Sequence, residues 1–406
     1  MPDNGASQAP FVLYSCAAAI FGLLQALAGP ALPDLEQQSQ TDSAGIGAMF
    51  VYRGIGSMIG GFTCGFILDA VRNPHHVLVV LLLVKACVEF AIPCSYSLTL
   101  LALDFGILQF CANSITTVSG TCVSWTYGKL IGLQMNIMNG MFGVGTALAP
   151  LLASALRFAG LHAVYGYWVI LALDLTIAAA AVAIPAAVNP RFAAKSNSLL
   201  NAAEVETPKE APKVLWLEVI QCCLSLVCAG TGEGALQVWL HRYATKQLGL
   251  SDGVTAIVNT SFFIAFTCTR FLCGLLVGSV GPAAILVAST ALGLVAPLAM
   301  MLPGVGTVIP CVAMVAIGIG VAGLYPNSVA KLGQRTFISG RAQGFMRVSA
   351  ALGTMLGSSG PGFLWPLIGS FSVPAIALGA MVAEVLLLLS WLPKKDLEHN
   401  SATPKR

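Results

Sequence analysis

Long apolar runs, separated by short polar segments, fill almost the whole sequence. Most are close to the ~20 residues that an α-helix needs to cross the hydrocarbon core of a bilayer. Short connections rich in Gly, Pro and Asn divide one run from the next. We predict twelve membrane-spanning helices, at 11–30, 46–68, 77–95, 98–125, 131–156, 163–188, 214–243, 253–277, 282–302, 305–332, 343–367 and 373–392.

One internal stretch breaks the apolar pattern. Residues 189–213 hold four Lys or Arg, three Glu and three Pro, with few large apolar side chains. Such a segment cannot bury enough apolar surface to offset the entropy of ordering it, so we predict a solvated, disordered linker. The chain then divides into an N-terminal six-helix bundle at 1–188, the linker at 189–213, and a C-terminal six-helix bundle with a short tail at 214–406.

Composition supports an all-α membrane protein. Hydrophobic residues make up 57% of the chain and charged residues 9%, against ~25% charged residues in a soluble domain. A net charge of +3 is too small to indicate a nucleic-acid partner. The twelve cysteines lack zinc spacing, so we interpret them as small buried apolar residues and expect no metal and no cofactor.

Basic residues indicate the orientation. If the N-terminus starts in the cytosol, the predicted cytosolic segments hold thirteen Lys or Arg and the outer loops hold three. This is the bias of the positive-inside rule, so we expect both termini in the cytosol.

The two halves resemble each other at a nearly constant offset. Gly22 and Gln25 match Gly230 and Glu233, 208 positions later. The Cys-Gly pair at 64–65 matches that at 273–274, and Gly-Thr at 145–146 matches that at 353–354. We predict an internal duplication, with the two halves related by an axis along the membrane normal and a binding site near the midplane.

The end of the second predicted helix resembles a family motif. Gly65, Asp69 and Arg72 match part of the major facilitator signature G-x-x-x-D-R-x-G-R-R, although His75 and His76 replace its basic run. The resemblance implies that the Asp caps a neighbouring helix and that basic residues latch a cytosolic gate. With Arg270, these three residues form our predicted gating set. An ordinary helix end is the alternative interpretation of the motif.

A narrower resemblance covers most of the chain. The segments GLLQALAGPALPD at 22–34, FVYRGIG at 50–56 and FGVG at 142–145 are similar to the sodium-dependent glucose transporter-like branch, which is related to the fucose permeases. The amide pair that holds sugar in that group corresponds to Asn136 and Asn139. Gln25 stands where the fucose permeases carry an acid, and Asp104 lies near the outer end of its helix. This departure favours sodium coupling or uniport over proton coupling.

Charges inside apolar helices are costly and therefore functional candidates. Glu233, between two glycines of the seventh predicted helix, is our ion-coupling candidate, for sodium or a proton. It is also a candidate donor to a sugar hydroxyl or a structural partner of Arg270, and the sequence leaves these roles open. For Arg270 we favour gate pairing over substrate contact.

Six further charges receive structural interpretations. Lys85 and Glu89 are four residues apart, so they share a helix face and neutralise each other. Arg53 is expected to pair with an acid or with helix-end carbonyls. Arg347 is expected to reach the membrane interface with its charged end. The remaining two, Asp174 and Glu384, lie in supporting helices and receive no substrate role.

Uncharged polar residues in the predicted cavity helices suit a sugar. Hydroxyl-rich ligands need amides and hydroxyls that both donate and accept, together with an aromatic ring against the apolar sugar face. The predicted substrate-binding residues are Gln25, Asn113, Asn136, Asn139, Glu233, Gln237, Trp239, Asn259, Tyr325 and Asn327. An interhelical hydrogen bond is the alternative role for any single Asn.

The sequence therefore predicts a transporter that moves a small polar solute of the hexose type by alternating access. Efflux of an amphipathic or lipid-like molecule is the alternative, and a membrane receptor or scaffold accounts less well for the repeat. No nucleophile–base pair or phosphate-binding loop indicates an enzyme. We expect a monomer in the plasma membrane whose partners are the sugar and the lipid bilayer.

Overall fold

The computed structural model describes residues 8–41, 43–128, 131–185, 214–302 and 304–391. Within these ranges every regular element is helical. The helices are α1 (Ala9–Ser39), α2 (Ser43–Ala70), α3 (Pro74–Ala91), α4 (Leu98–Tyr127), α5 (Ile131–Phe158), α6 (Gly166–Ala183), α7 (Trp216–Gln247), α8 (Asp252–Met301), α9 (Val308–Ala322), α10 (Leu324–Arg335), α11 (Gly340–Ile368) and α12 (Ser372–Trp391). Three short 3₁₀ turns lie at Ile92–Cys94, Ala163–Tyr165 and Gly369–Phe371.

Local sequence sets several of these boundaries. The Asn73 side chain accepts a hydrogen bond from the His75 amide, and Pro74 occupies the first turn of α3, where a missing N–H costs nothing. Ser97 caps α4 in the same way, through the Leu100 amide. The helix ends at Gly128, whose φ of 52° is a conformation that favours glycine.

Within the described residues, ten segments are long and apolar enough to cross a membrane. The long α8 corresponds to two predicted helices, because its backbone leaves helical geometry at Gly281, with φ 80° and ψ 156°, just before Pro282. α9 and α10 form a single apolar segment that is interrupted at Gly323, and together they match the one span predicted at 305–332. The predicted count of twelve spans is only partly reproduced, because α11, predicted as a span at 343–367, is not among the ten segments. The break between 277 and 282 falls where the sequence places it.

Contacts divide the chain into two compact units. Unit 1 comprises Met1–Gln134, Val144–Trp216 and Gly333–Val348, and unit 2 comprises Met135–Gly143, Leu217–Leu332 and Ser349–Arg406. Helices α5 and α11 each contribute to both units. The linker predicted at 189–213 lies wholly within 186–213, outside the described residues, and the bundle boundaries at 188 and 214 stay predictions.

Unit 1 is held together by close helix contacts. α2 packs along α4, and Gly56 lies so near the Gly106 carbonyl that a Cβ at position 56 would overlap it. α3 packs against both α4 and α6. In α5, Gly145 lies against the Ala19 carbonyl of α1, and a side chain there would overlap that oxygen. Small residues therefore set the spacing of these helices, as is common inside membranes.

Unit 2 repeats one of these contacts at the predicted offset. Gly353 of α11 lies against the Val227 carbonyl of α7, where a Cβ would overlap the oxygen. Both partners are 208 positions after Gly145 and Ala19, so the same crossing occurs in each unit. This geometry supports the internal duplication.

The cysteines differ in part from their predicted burial. Five of the twelve are buried, among them Cys64, Cys111 and Cys222, and none of the twelve forms a disulfide. Cys87, Cys94 and Cys268 are exposed, so the expectation of general burial was wrong for these three. An exposed position on a membrane-spanning helix faces an apolar solvent, which tolerates a thiol.

Candidate functional site

A buried ion pair lies at the centre of unit 2. Nη2 of Arg270 on α8 is 3.3 Å from Oε2 of Glu233 on α7. Arg270 is 3% exposed, whereas the Glu233 side chain keeps 18% of its surface accessible. The other Glu233 oxygen, Oε1, accepts a hydrogen bond of 2.7 Å from the Gln237 amide one helical turn away. Glu233 therefore joins a cation and an amide, with part of its carboxylate still accessible.

The rest of the Arg270 guanidinium is also engaged. Nε donates to the Ala322 carbonyl at 3.3 Å, and Nη1 donates to the Asn139 carbonyl at 3.1 Å. The Phe266 ring lies beneath the guanidinium, 4.0 Å from its central carbon, with Phe142 at 5.7 Å. Arg270 thus fixes α5, α8 and the end of α9 around one charge, and the stacked rings compensate part of its lost hydration.

Two amides form a second polar contact in unit 2. Asn136 on α5 and Asn327 on α10 are both fully buried, and their side chains exchange hydrogen bonds of 3.3 and 3.4 Å. Asn327 also donates to the Gly323 carbonyl at 2.8 Å, at the interruption between α9 and α10. The pair therefore connects α5 to the residues that follow the helix break.

An aromatic group lies near the end of α7. Trp239 stacks on Trp365 of α11, with ring centroids 5.6 Å apart, and its indole N–H donates to the Ser358 carbonyl. Arg242 lies over both rings, 4.7 Å from the Trp365 centroid. The rings offer a stacking surface, but Arg242 already occupies it.

Five of the ten predicted substrate-binding residues form two contact groups. Glu233, Gln237 and the Asn139 carbonyl are joined through Arg270, and Asn136 pairs with Asn327. Tyr325, at the start of α10, is 9% exposed. The Asn139 side-chain amide itself donates to the Met135 carbonyl. Asn259 is half-buried on α8, and its amide oxygen has no hydrogen-bond partner among the described residues.

The other predicted binding residues lie elsewhere. Gln25 and Asn113 belong to unit 1. Asn113 is buried and donates to the Ser57 carbonyl at 2.7 Å, so it has the interhelical role that the sequence left open as an alternative. Trp239 takes part in the aromatic group near the end of α7.

Two of the four predicted gating residues, Gly65 and Asp69, contact the start of α11 within unit 1. Asp69 at the end of α2 accepts hydrogen bonds from the Gly340 and Arg341 amides at 2.8 and 3.2 Å, and so caps α11. Gly65 lies against the Gly340 carbonyl, where a Cβ would be only 2.6 Å away. Arg72 is exposed and has no described ion-pair partner. The cap is present, and the gating role stays a prediction.

A second buried charge cluster lies in unit 1. Lys85 Nζ is 2.7 Å from Glu89 Oε1 and also contacts the Asp174 carboxylate of α6, and all three side chains are at most 3% exposed. The predicted pairing of Lys85 with Glu89 alone was therefore incomplete. A contact between α3 and α6 is set by helix packing, which residue spacing along α3 could not reveal.

Two arginines differ from their predicted partners. Arg53 donates to the Gln109 side-chain oxygen at 3.2 Å, an amide rather than an acid or a helix-end carbonyl. Arg347 is 9% exposed and its Nη2 donates to the Thr116 carbonyl at 3.3 Å, so it does not extend to the interface. The expectation for Arg347 was wrong because α11 packs against α4 at Gly120, which leaves room for its side chain.

Sequence reasoning also missed Phe142, Phe266 and Gln343. The two phenylalanines lie among many other apolar residues, and only the position of Arg270 distinguishes them. Gln343 is fully buried beside Gly120, and neither atom of its amide has a partner among the described residues. Its polarity within α11 was a usable signal. The described residues contain no cluster of His, Cys, Asp or Glu that could hold a metal ion.

Comparison with known proteins agrees with this architecture. The family model described as Major Facilitator Superfamily matches residues 14–358 and 222–406. The chain is 23% identical over 385 residues to the sodium-dependent glucose transporter 1 of Xenopus laevis, covering 88% of this chain and 77% of that protein.

Solved structures show the same fold. The E. coli fucose:proton symporter FucP aligns with a TM-score of 0.73 at 15% identity, over 97% of this chain and 99% of that one. The proton:xylose symporter XylE aligns with a TM-score of 0.76 at 12% identity, over 95% of each chain. The human organic anion transporter MFSD10 aligns with a TM-score of 0.76 at 13% identity, over 94% of this chain and 99% of that one. The chain is therefore a multi-pass, all-helical membrane protein that belongs to the Major Facilitator Superfamily, whose members are transporters and not enzymes.

Proposed function

We propose that this transporter moves a hexose-type sugar across the membrane by alternating access. The names of its relatives support this class of solute. The similar Xenopus protein is a glucose transporter, and two of the similar structures are sugar symporters, one of them bound to a glucose derivative. Because these proteins are at most 23% identical to this chain, a particular solute is inferred from the residues of this chain itself.

The observation that carries the proposal is the partly accessible Glu233–Gln237 pair beside Arg270. A carboxylate oxygen accepts hydrogen bonds from sugar hydroxyls, and an amide both accepts and donates. The two side chains lie one turn apart on the same face of α7, 2.7 Å from each other. Phe142 and Phe266, next to the guanidinium, supply aromatic rings for the apolar face of a sugar.

The ion pair also supplies a way to respond to solute. A hydroxyl that bonds to Glu233 competes with the Arg270 contact of 3.3 Å, which is long for a charge-assisted hydrogen bond. Arg270 holds the Asn139 and Ala322 carbonyls as well, so a shift of its side chain is transmitted to α5 and α9. In this mechanism Glu233 binds solute, and Arg270 links binding to helix movement. The proposal includes cytosolic termini, a plasma-membrane location and a monomeric carrier.

Uptake of radiolabelled glucose into proteoliposomes tests the proposal. The wild type and Glu233→Gln are compared with and without a sodium gradient and a proton gradient. Glu218→Gln, the same substitution on the same helix, is the matched control. Glu218 accepts from the Trp391 indole rather than from Arg270.

We expect gradient-driven accumulation by the wild type and by Glu218→Gln, with loss in Glu233→Gln. Equilibration without accumulation in all three proteins would make the carrier a uniporter and leave Glu233 with a structural role. An absence of uptake by correctly folded wild type under every gradient would reject the hexose proposal, and amphipathic solutes would be tested next.

A further inference from the structure

A second carboxyl in unit 2 has surroundings unlike those of Glu233. Glu384 lies on α12 and is fully buried. Its Oε1 accepts a hydrogen bond of 2.6 Å from the Ser225 hydroxyl of α7. Its Oε2 has no hydrogen-bond partner of good geometry among the described residues, and the thiol of Cys228 lies beside the carboxyl. Two neutral groups are thus its polar neighbours.

No cation accompanies this carboxyl within the described part of the chain. The titratable groups that interact with it are the thiols of Cys222 and Cys228 on α7. Glu218 on α7 and Lys331 on α10 lie further away, at the Trp391 side chain. Lys331 is directed to the Trp391 ring, with its nitrogen 5.1 Å from the ring centroid, two helical turns beyond Glu384. From α8, the side facing α12 presents Gly293, which lies against Met381, and no charged residue.

A buried acid of unit 1 makes a useful contrast. Asp174 on α6 is 2% exposed, and its carboxylate contacts the Lys85 ammonium directly. Asp174 therefore has a cation beside it, whereas Glu384 has a hydroxyl and a thiol.

An ionised carboxylate at this depth is strongly disfavoured. A charge at the centre of a bilayer costs at least ~2.5 kcal/mol even on the most permissive scale, and a buried ion without a partner is worse than an ion pair. A carboxyl with only a hydroxyl and a thiol for neighbours avoids this cost by holding a proton. We propose that Glu384 is a proton-binding site of this transporter, filled in the conformation described and emptied during the transport cycle.

Hydroxyl groups give the proton a route. Ser225 Oγ is 2.8 Å from Ser328 Oγ on α10, and both residues are buried. For release, the Ser225 hydroxyl turns so that it accepts from the protonated Glu384 and donates to Ser328. The O–H bond of Glu384 then breaks as its proton moves to Ser225, Ser225 passes its own proton to Ser328, and Ser328 passes its proton to a water molecule, which becomes hydronium. Glu384 is left as a carboxylate that accepts from Ser225. Reloading from the other side of the membrane restores the acid.

The same hydroxyls connect the proton to the contact between α5 and α10. Ser328 directly follows Asn327, the residue that pairs with Asn136 and bonds to the carbonyl at the Gly323 break. Loss of the proton places a negative charge at the end of the hydroxyl pair and strengthens the Ser225 bond. α10 is therefore biased toward a different position in the two protonation states, which is what coupling requires.

Infrared spectroscopy of the purified full chain in lipid nanodiscs tests proton occupancy without any solute. The carbonyl stretch of a protonated carboxylic acid is recorded for the wild type, Glu384→Gln and Asp174→Asn across a pH series. We expect the wild-type spectrum near neutral pH to contain a band that Glu384→Gln lacks and Asp174→Asn keeps. Identical wild-type and Glu384→Gln spectra at every pH would overturn the proposal.

Ser225→Ala provides a second variant in case Glu384→Gln does not fold. It leaves the carboxyl in place and removes its hydroxyl donor, so the acid band should move to higher frequency. An unchanged band would show that the acid observed is not Glu384.

A transport experiment, which rests on the proposed sugar function, tests coupling. With glucose and a gradient of about one pH unit, a carrier that moves one proton per sugar accumulates up to ~10-fold. We expect Glu384→Gln to lose this accumulation while exchange of internal for external sugar stays within ~2-fold of wild type. Accumulation equal to wild type would refute the coupling role. Failure of wild-type uptake would reject the sugar function. The infrared spectra would still test whether Glu384 binds a proton.

Discussion

Alanine at Gly145 tests the helix crossing that both units share. Gly145 lies in α5 against α1, and a Cβ there would overlap the Ala19 oxygen. The same Cβ would lie 2.8 Å from the Ala19 carbonyl carbon and 2.8 Å from the Leu23 amide nitrogen, where real Cβ contacts essentially never fall below 3.0 Å. All of these atoms belong to the backbone, so only a displacement of one whole helix relieves the overlap.

Two opposing contributions set the change in the free energy of unfolding. Replacing Gly by Ala in a helix interior stabilises the helix by ~1 kcal/mol. Overpacking costs ~1–3 kcal/mol and occasionally more, and a rigid backbone contact belongs at the upper end of that range. We expect Gly145→Ala to destabilise the protein by about 2 kcal/mol. For a bundle of this size this corresponds to a fall of roughly 4–8 °C in Tm.

Thiol-reactive dye fluorescence during heating in detergent is a suitable assay, because buried cysteines such as Cys64 and Cys111 react only on unfolding. The exposed cysteines react at the start and set the baseline. Gly379→Ala is the matched control, since no atom lies within 4 Å of a Cβ at that α12 position. It should raise the midpoint slightly through helix propensity alone.

Gly353→Ala extends the test to the second unit. Its Cβ would overlap the Val227 oxygen and lie 3.0 Å from the carbonyl carbon, a slightly looser contact than at Gly145. A smaller fall in Tm of the same sign is expected. If Gly145→Ala and Gly379→Ala changed the midpoint equally, close packing at this crossing would not set the spacing of α1 and α5, and the argument would fail.

Three other substitutions have expected outcomes. Lys85→Met leaves Glu89 and Asp174 as buried acids without their cation and should cost ~3–5 kcal/mol, measured as a lower Tm; a loss below 1 kcal/mol would mean that the cluster contributes little. Asp69→Ala removes the cap of α11 and should cost ~0.5–2 kcal/mol of stability. A cysteine introduced in the first turn of α11 should then be labelled faster, and unchanged labelling would show that the cap does not hold this turn in place. His75→Phe removes the ring that accepts from the Tyr14 hydroxyl and donates to two carbonyls of the α6 end, and should cost ~1–3 kcal/mol in the same thermal assay; a midpoint equal to wild type would contradict this role.

The fold was largely predictable from the sequence because apolar length determines where a chain crosses a bilayer. The break at Gly281 was predictable too, since glycine before proline ends a helix. The interruption at Gly323 was not placed as a helix boundary, because the apolar run continues through it.

The candidate site was predicted less completely. The polarity of Glu233 and Arg270 within apolar helices identified both, and their pairing was one of several alternatives that the sequence left open. The contact of Asp174 with Lys85 depends on which helix faces which, and residue spacing along one helix carries no such information. The buried position of Arg347 was mispredicted for the same reason.

The cap that Asp69 places on α11 joins residues 271 positions apart. At a synthesis rate of ~5–20 residues per second, the Gly340 amide leaves the ribosome about 15–50 s after the Asp69 carboxylate. During that interval α2 lies in the membrane before α11, the helix that Gly65 and Asp69 contact, has been synthesised. Unit 1, which includes Gly333–Val348, is therefore completed only when most of the chain has been made. We therefore expect errors in biogenesis to concentrate at α2.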